Sequence, residues 1–438
     1  MKSDQPTICT LSESLPASAS STDPHQMPPR SSENSVSLPH PAAILPRQTV
    51  LLFAIACGIS VANIYYAHPL LDELALQFDL SASILGMVIT VTQACYALGL
   101  FFLVPLGDRI NRRRLVMVQM CLSVLSLLVV GLSGSHLMLF AGLGAVGLLA
   151  VVAQTLVAAT ARWSNPAERG RNVGLVTSGI VIGILLARTF AGIMTDIAGW
   201  RSVYLVSALL LAVITGMLYR AFPVIHEKES STSYARLLLS TLQLYATMPL
   251  LRIRGMLALL IFGAFSTLWT ALVLPLSSPP HDLNHTQIGA FGIAGIAGAL
   301  AAARAGKLAD RGYGQRTTGI ALLLLILSWV MMLWLDVTLF ALLAGIILLD
   351  LAVQAVHVTN QTMILTARPE AGSRLTGAYM IFYSIGSATG SFASTQLYAV
   401  YEWTGVCMLG AAFSIAAFVF WLVTRKYSDT TSNMGKVI

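Results

Sequence analysis

At 438 residues, 56% of them hydrophobic and only 10% charged, the chain is too apolar for a soluble domain, in which about a quarter of residues carry charge. The net charge of +7 does not signal nucleic acid, because the basic residues sit in short stretches between apolar runs, where positive charge orients a protein in a bilayer. Five scattered cysteines (Cys9, Cys57, Cys95, Cys121 and Cys407) lack metal or disulfide spacing and read as small packing residues.

Residues 1–47, rich in Ser and Pro and without an apolar run, read as a disordered cytoplasmic tail with no signal-peptide core. Twelve apolar segments follow, each near the roughly 20 residues that cross a bilayer: 49–71, 82–106, 115–132, 136–160, 173–197, 201–222, 256–275, 286–305, 317–335, 338–365, 375–398 and 404–425. They are expected as an N-terminal six-helix bundle over 48–222 and a C-terminal one over 256–425, with a cytoplasmic tail over 426–438. Between them, 223–255 places Tyr234, Leu238, Leu242, Tyr245 and Met248 on one face, as a helix on the cytoplasmic membrane surface or a linker helix.

Arg109, Arg112, Arg113 and Arg114 follow the second segment, and Arg162, Arg169, Arg171, Arg252, Arg254, Lys307, Arg311, Arg316, Arg368 and Arg374 fall in alternate loops. The opposite loops hold Asp72, Glu73, Asp79, Asp282, Asp336 and Glu402, with Arg201 their clear cation. Both termini are therefore expected in the cytoplasm.

The two halves repeat. Pro166, Arg171, Gly174, Gly183 and Trp200 recur as Pro369, Arg374, Gly377, Gly386 and Trp403 at an offset of 203, and Asp108-Arg109 recurs as Asp310-Arg311 at 202. A fixed offset at several marked positions argues for internal duplication, a design in which two bundles rock about a central site.

The loop Leu106-Gly107-Asp108-Arg109-Ile110-Asn111-Arg112-Arg113-Arg114 resembles the loop signature of the major facilitator superfamily, and Gly306-Lys307-Leu308-Ala309-Asp310-Arg311 resembles its second copy. The signature's leading glycine is Val104 here and its second is Asn111, which tolerates a left-handed turn. The resemblance covers essentially everything after residue 48. It implies an all-α polytopic membrane protein of twelve transmembrane helices in two pseudo-symmetric bundles. It also implies gating roles for Asp108, Arg109, Arg112, Asp310 and Arg311, with Glu168 standing in for the family's missing acidic partner of Arg112. The glycine-rich fifth segment, Gly179 to Gly192, looks like the antiporter helix of the superfamily, although Ile184 replaces its proline.

In the tenth segment Asp350, Gln354, His357 and Gln361 fall on one narrow helical stripe. A carboxylate near mid-membrane costs roughly 2.5–3.5 kcal/mol on insertion scales, so Asp350 should face a water-filled pathway or a partner. It reads as a proton-coupling residue or as part of a structural polar cluster. Arg188, the one basic residue deep in the membrane, lies at a similar depth, roughly 14 Å in against roughly 18 Å. The two would meet between the halves, where a change in their separation changes proton affinity; alternatively Arg188 is satisfied by backbone carbonyls or Gln154. His357 would relay protons or simply be hydrogen-bonded.

Asn63, Tyr66, Gln93, Gln154, Ser266, Trp269, Thr270, Gln354, Gln361 and Tyr383 complete the set of cavity candidates, since helices one, four, seven and ten line the cavity by family resemblance. Amides, hydroxyls and aromatics in apolar walls suit an amphiphilic molecule, uncharged or cationic. No nucleotide-binding loop, intramembrane zinc motif or nucleophile elbow occurs, so neither ATP-driven transport nor an enzyme is expected.

The sequence thus reads as a proton-coupled secondary exporter. Uptake by proton symport is the alternative, and a sensor or scaffold a more distant one. The expected energy source is the proton gradient, without a cofactor. The expected partners are a small-molecule substrate, protons and the bilayer, for a monomer in the plasma membrane (the bacterial inner membrane).

Overall fold

The computed structural model describes residues 45–107, 109–165, 168–222, 233–335, 337–368 and 372–434, all helix and connecting turn without a strand. Most of the expected N-terminal tail therefore lies outside the described residues.

The first half runs through α1 (Arg47–Tyr65), α2 (Leu71–Phe78), α3 (Ala82–Leu106), α4 (Arg112–Gly131), α5 (His136–Leu149), α6 (Val152–Trp163), α7 (Arg169–Ala198) and α8 (Trp200–Ala221). After α9 (Tyr234–Thr247) come α10 (Pro249–Ala271), α11 (Val273–Leu276), α12 (His285–Ala290), α13 (Gly295–Leu308), α14 (Gly314–Met332), α15 (Leu339–Ala367) and α16 (Gly372–Met434). Ten spans among the described residues are long and apolar enough to cross a membrane.

Two departures account for the difference from the expected twelve. The eighth segment is not one helix: a 3-10 turn at Phe291–Ala294 separates α12 from α13. The eleventh and twelfth run together as α16, broken at Glu402 (φ 51°, ψ −145°), and are long enough for two crossings. Helix also continues past Arg425, where a tail was expected, because no Gly or Pro interrupts the chain before Gly435.

Glycines set the helix pairing within each half. A Cβ on Gly58 of α1 would lie 2.8 Å from the Gly179 carbonyl oxygen of α7, and one on Gly183 would collide with the Gly58 backbone. Gly386 and Gly390 of α16 press in the same way on Leu259 and Gly263 of α10, so the offset between halves has a packing meaning. Gly174, by contrast, faces open space. Opposite effects follow. Gly183→Ala is expected to lower the melting temperature of the purified protein, at a cost of about 1–3 kcal/mol. Gly174→Ala should raise it slightly, by relieving roughly 0.5–1 kcal/mol of helix-interior glycine cost. Equal melting temperatures for the two would contradict this packing.

α3 and α16, one from each half, lie tightly together at one end and separate toward the arginine-rich end. Where α3 meets α16, Gly86 N–H donates to Thr395 Oγ1 (3.1 Å), Thr90 Oγ1–H to the Ala388 carbonyl (3.0 Å) and Gln396 Nε2–H to the Ser83 carbonyl (2.7 Å). A Cβ on Gly86 would lie 2.5 Å from the Ser391 carbonyl oxygen, but one on Gly377, farther along, 4.0 Å from that of Leu100. The helices taper apart.

α9 straps the looser end. Tyr234 Oη–H donates to the Phe102 carbonyl of α3 (2.7 Å) and Tyr245 Oη–H to the Ala378 carbonyl of α16 (2.8 Å), while Arg374 donates to Ser240 (3.2 Å). Its packed face differs from the expected one at one place: Leu242 is exposed and Leu244 is buried.

Asn111 also differs from expectation. It has φ −53° and caps α4, its side chain accepting from Arg114 N–H, so the turn survives through helix capping instead of a left-handed residue.

Candidate functional site

Arg188 comes from α7 in the first half and Asp350 from α15 in the second, and both are buried, at 3% and 4% exposure. Trp269 of α10 joins them. Its ring covers the Arg188 guanidinium, with Cζ 3.7 Å from the ring centroid, and its Nε1–H donates to Asp350 Oδ1 at 3.4 Å. The rings of Tyr65 (5.3 Å) and Phe265 (5.5 Å) complete an aromatic box around the cation. The Arg188 Nε and Nη2 donors make no hydrogen bond.

A glycine series on the broken eighth segment makes this approach possible. Gly289 lies against the Arg188 backbone and Gly292 against its Cβ; Gly295 faces Asp350 Oδ2, and Gly298 the Asp350 carbonyl. A Cβ at Gly295 would sit 3.0 Å from that carboxylate oxygen. The glycines recur at every third residue across the 3-10 turn at Phe291–Ala294, a pattern that the segment's apolar composition conceals.

Beside the box lies an aromatic floor. Tyr383 of α16 touches the Tyr65 hydroxyl across the halves and packs on Tyr96 (6.5 Å), Phe262 (4.1 Å) and His357 (6.4 Å). His357 Nδ1 meets the Tyr379 hydroxyl (3.1 Å), which neighbours Asn360 (3.5 Å), and Asn360 Oδ1 accepts from the fully buried Arg254 (3.3 Å). His357 is thus tied to a polar chain within the second half, away from Asp350. Arg254, Asn360 and Tyr379 were not singled out in the sequence; a basic residue in a positive loop and an Asn beside the chosen stripe gave little reason to.

The remaining candidates divide. Gln154 hydrogen-bonds with Tyr96, not with Arg188, and Gln93 is buried with Oε1 unpartnered. Gln354 lies beside Gly298, Gln361 reaches Met380 Sδ (4.0 Å) and Ser266 is buried. Asn63 and Tyr66 do not join the centre: one helical step of about 100° from Tyr65 turns Tyr66 toward α8, where Ser207 donates to Asn63 Oδ1 (2.7 Å) and lies 3.4 Å from the Tyr66 hydroxyl. Thr270 likewise donates to Ser391 within the second half (2.8 Å).

At the arginine-rich end, Arg112 is buried and donates to the Gly107 (3.0 Å) and Ala158 (3.5 Å) carbonyls. Glu168 pairs with Arg171 instead (3.7 Å), its neighbour one helical turn away. Arg109 and Arg311 are exposed, while Asp108 and the Asp310 side chain lie outside the described residues.

The closed end carries a clamp. His285, at the start of α12, lies 3.1 Å by Nε2 from Asp72 of α2 and 3.2 Å by Nδ1 from Asp196 of α7, while Asp196 also accepts from the His285 (3.2 Å) and Thr286 (2.8 Å) backbone N–H groups. The hydrogen bond to Asp72 is the main influence lifting the imidazole from the usual 6.5 to about 8. Its pKa is thus raised by closure, so the clamp's contribution is complete below about pH 6.5 and fades as pH rises through about 8. Hydrogen exchange over residues 285–292 is expected to speed up between pH 7 and 9 beyond the intrinsic rate. That extra dependence should vanish in Asp72→Asn; its persistence there would contradict the clamp.

Helical bundles that repeat, meet over buried opposite charges and hydrogen-bond closely across one end define a membrane carrier. The chain belongs to the Major Facilitator Superfamily, whose sequence profile matches residues 51–338 and 255–436. It is 43% identical over 372 residues to the uncharacterized transporter YgaY of Escherichia coli O157:H7, covering 85% of this chain and 94% of that one. It is 30% identical over 407 residues to the probable transporter SCO4007 of Streptomyces coelicolor, covering 92% and 93%. Among solved structures it resembles the inward-facing, unoccupied bacterial homologue of the human lysosomal transporter Spinster, with a TM-score of 0.66 at 13% identity over 88% of this chain and 96% of that one.

Proposed function

We propose that the protein is a proton-coupled secondary transporter of a small amphiphilic molecule, working by alternating access with the arginine-rich end in the cytoplasm. One observation carries the reading: Arg188 and Asp350, buried on opposite halves, both contact Trp269. When the halves rock, the distance between guanidinium and carboxylate changes, and with it the carboxylate's affinity for a proton. The geometry favours a structure closed to the outside by the His285 clamp and loosened toward the cytoplasm.

Two directions are compatible with this element. Export fits the antiporter-like glycine helix α7, for a neutral or cationic substrate that competes with the proton at Asp350. Uptake is favoured by the unpartnered donors of Arg188, which suit a substrate that binds while Asp350 is protonated.

Cells stripped of their main efflux pumps test the proposal, with accumulation of a panel of dyes, drugs, sugars, nucleosides and organic acids measured with and without a protonophore. Expression should change the accumulation of at least one compound, lowering it for export or raising it for uptake, and the protonophore should abolish the change. A change indifferent to the protonophore would refute proton coupling.

A further inference from the structure

Resting on the coupling reading above, we propose that Arg188 anchors a substrate subsite for an organic anion, a carboxylate carried on a flat aromatic body. The guanidinium is left short of acceptors by its own surroundings. From α1 and the turn after it come Tyr65 and His68, from α10 Phe265 and Trp269, from the broken eighth segment Ile288 and the backbone of Gly292, and from α15 Asp350. Of these, Asp350 is the sole carboxylate, and its Oδ1 is engaged by Trp269. Nε and Nη2 of a side chain 3% exposed therefore donate to nothing. A carboxylate matches such donors, because its two oxygens accept in the plane of the guanidinium fork.

The walls set the rest of the ligand. Tyr65, Phe265 and Trp269 surround the cation, and Tyr96, Phe262 and Tyr383 extend the aromatic surface beyond it. Such walls favour a flat apolar body. They would also suit a cation, as the sequence suggested, were the box not already filled by one; a second positive charge is repelled. In the closed form the contact between Tyr65 and Tyr383 spans the halves, and a ligand would part it.

The charges give the coupling a sign. With Asp350 ionised the site holds one charge of each kind, so an added anion is best balanced when Asp350 takes up a proton. Anion and proton then bind cooperatively and travel together, which selects uptake from the two directions above.

Equilibrium dialysis of the purified full chain tests this with three probes on one skeleton: 2-naphthoate, 2-naphthamide and 2-naphthylmethylammonium, at pH 6 and pH 8. The naphthoate, an anion at both values, is expected to bind about tenfold or more tightly than the other two, and more tightly at pH 6. Arg188→Gln should remove that preference. Asp350→Asn should strengthen naphthoate binding at pH 8 and erase its pH dependence, a gain that a misfolded variant does not produce. Equal binding of the amide or ammonium, no binding of the naphthoate, or weaker binding in Asp350→Asn would each overturn the subsite. If the subsite fails while protonophore-sensitive accumulation still depends on Asp350, the coupling reading stands; if naphthoate binds but no compound moves with protons, the coupling reading falls and the subsite remains.

Discussion

Asp350→Asn is expected to reduce proton-driven accumulation to the level of cells lacking the protein, while exchange of substrate across the membrane in the absence of a gradient continues. The amide keeps the shape that Gly295 accommodates and an oxygen for Trp269 Nε1–H, so the site should hold its geometry. What it loses is the ability to be charged in one state and neutral in the other. Stability should fall as well, because Arg188 is left buried without its counter-charge. An Asp350→Asn protein that still accumulates substrate in a protonophore-sensitive way would make Asp350 a structural residue.

Arg188→Gln is expected to abolish transport and, like Asp350→Asn, to destabilise the protein. Removing one of two buried opposite charges leaves the other uncompensated, a loss on the order of 3 kcal/mol. It also strips the Trp269 ring of the guanidinium stacked on it at 3.7 Å. Arg188→Lys should restore stability only in part, since an ammonium lacks the planar fork that lies over the indole. In the double variant Arg188→Gln with Asp350→Asn, most of the lost stability should return, because neither charge then remains unpaired. Melting temperatures of the four proteins check this; additive losses would show that the two residues do not sense each other.

Much of this was legible in the sequence. The apolar spans were readable because the bilayer fixes both their length and their composition, and α3 begins and ends where its pattern does, at Ala82 and Leu106. Arg188 and Asp350 were legible for a related reason: in a run of apolar residues an ionisable side chain marks itself. The intermediary was not. Trp269 reads equally as a packing residue, and only its place between two helices of different halves gives it its contacts. Asn63 and Tyr66 show the converse, polar residues on the first helix whose phase turns them into their own half. The break in the eighth segment was hidden because Gly, Ala and Ile leave hydropathy high across Phe291–Ala294, while the glycine spacing of three that marks it is weak against that background. The His285 clamp was missed since its three residues, Asp72, Asp196 and His285, are far apart in the chain and each lies at the end of an apolar segment.

The most direct test of proton coupling is proton movement in reconstituted vesicles. A compound identified in the cell panel is placed on one side only, and internal pH is followed with a trapped dye for the wild type and for Asp350→Asn. The coupling account predicts that the compound's gradient drives protons across with the wild type, whereas the variant moves the compound and leaves internal pH unchanged. Proton movement of equal size through the Asp350→Asn protein would contradict it.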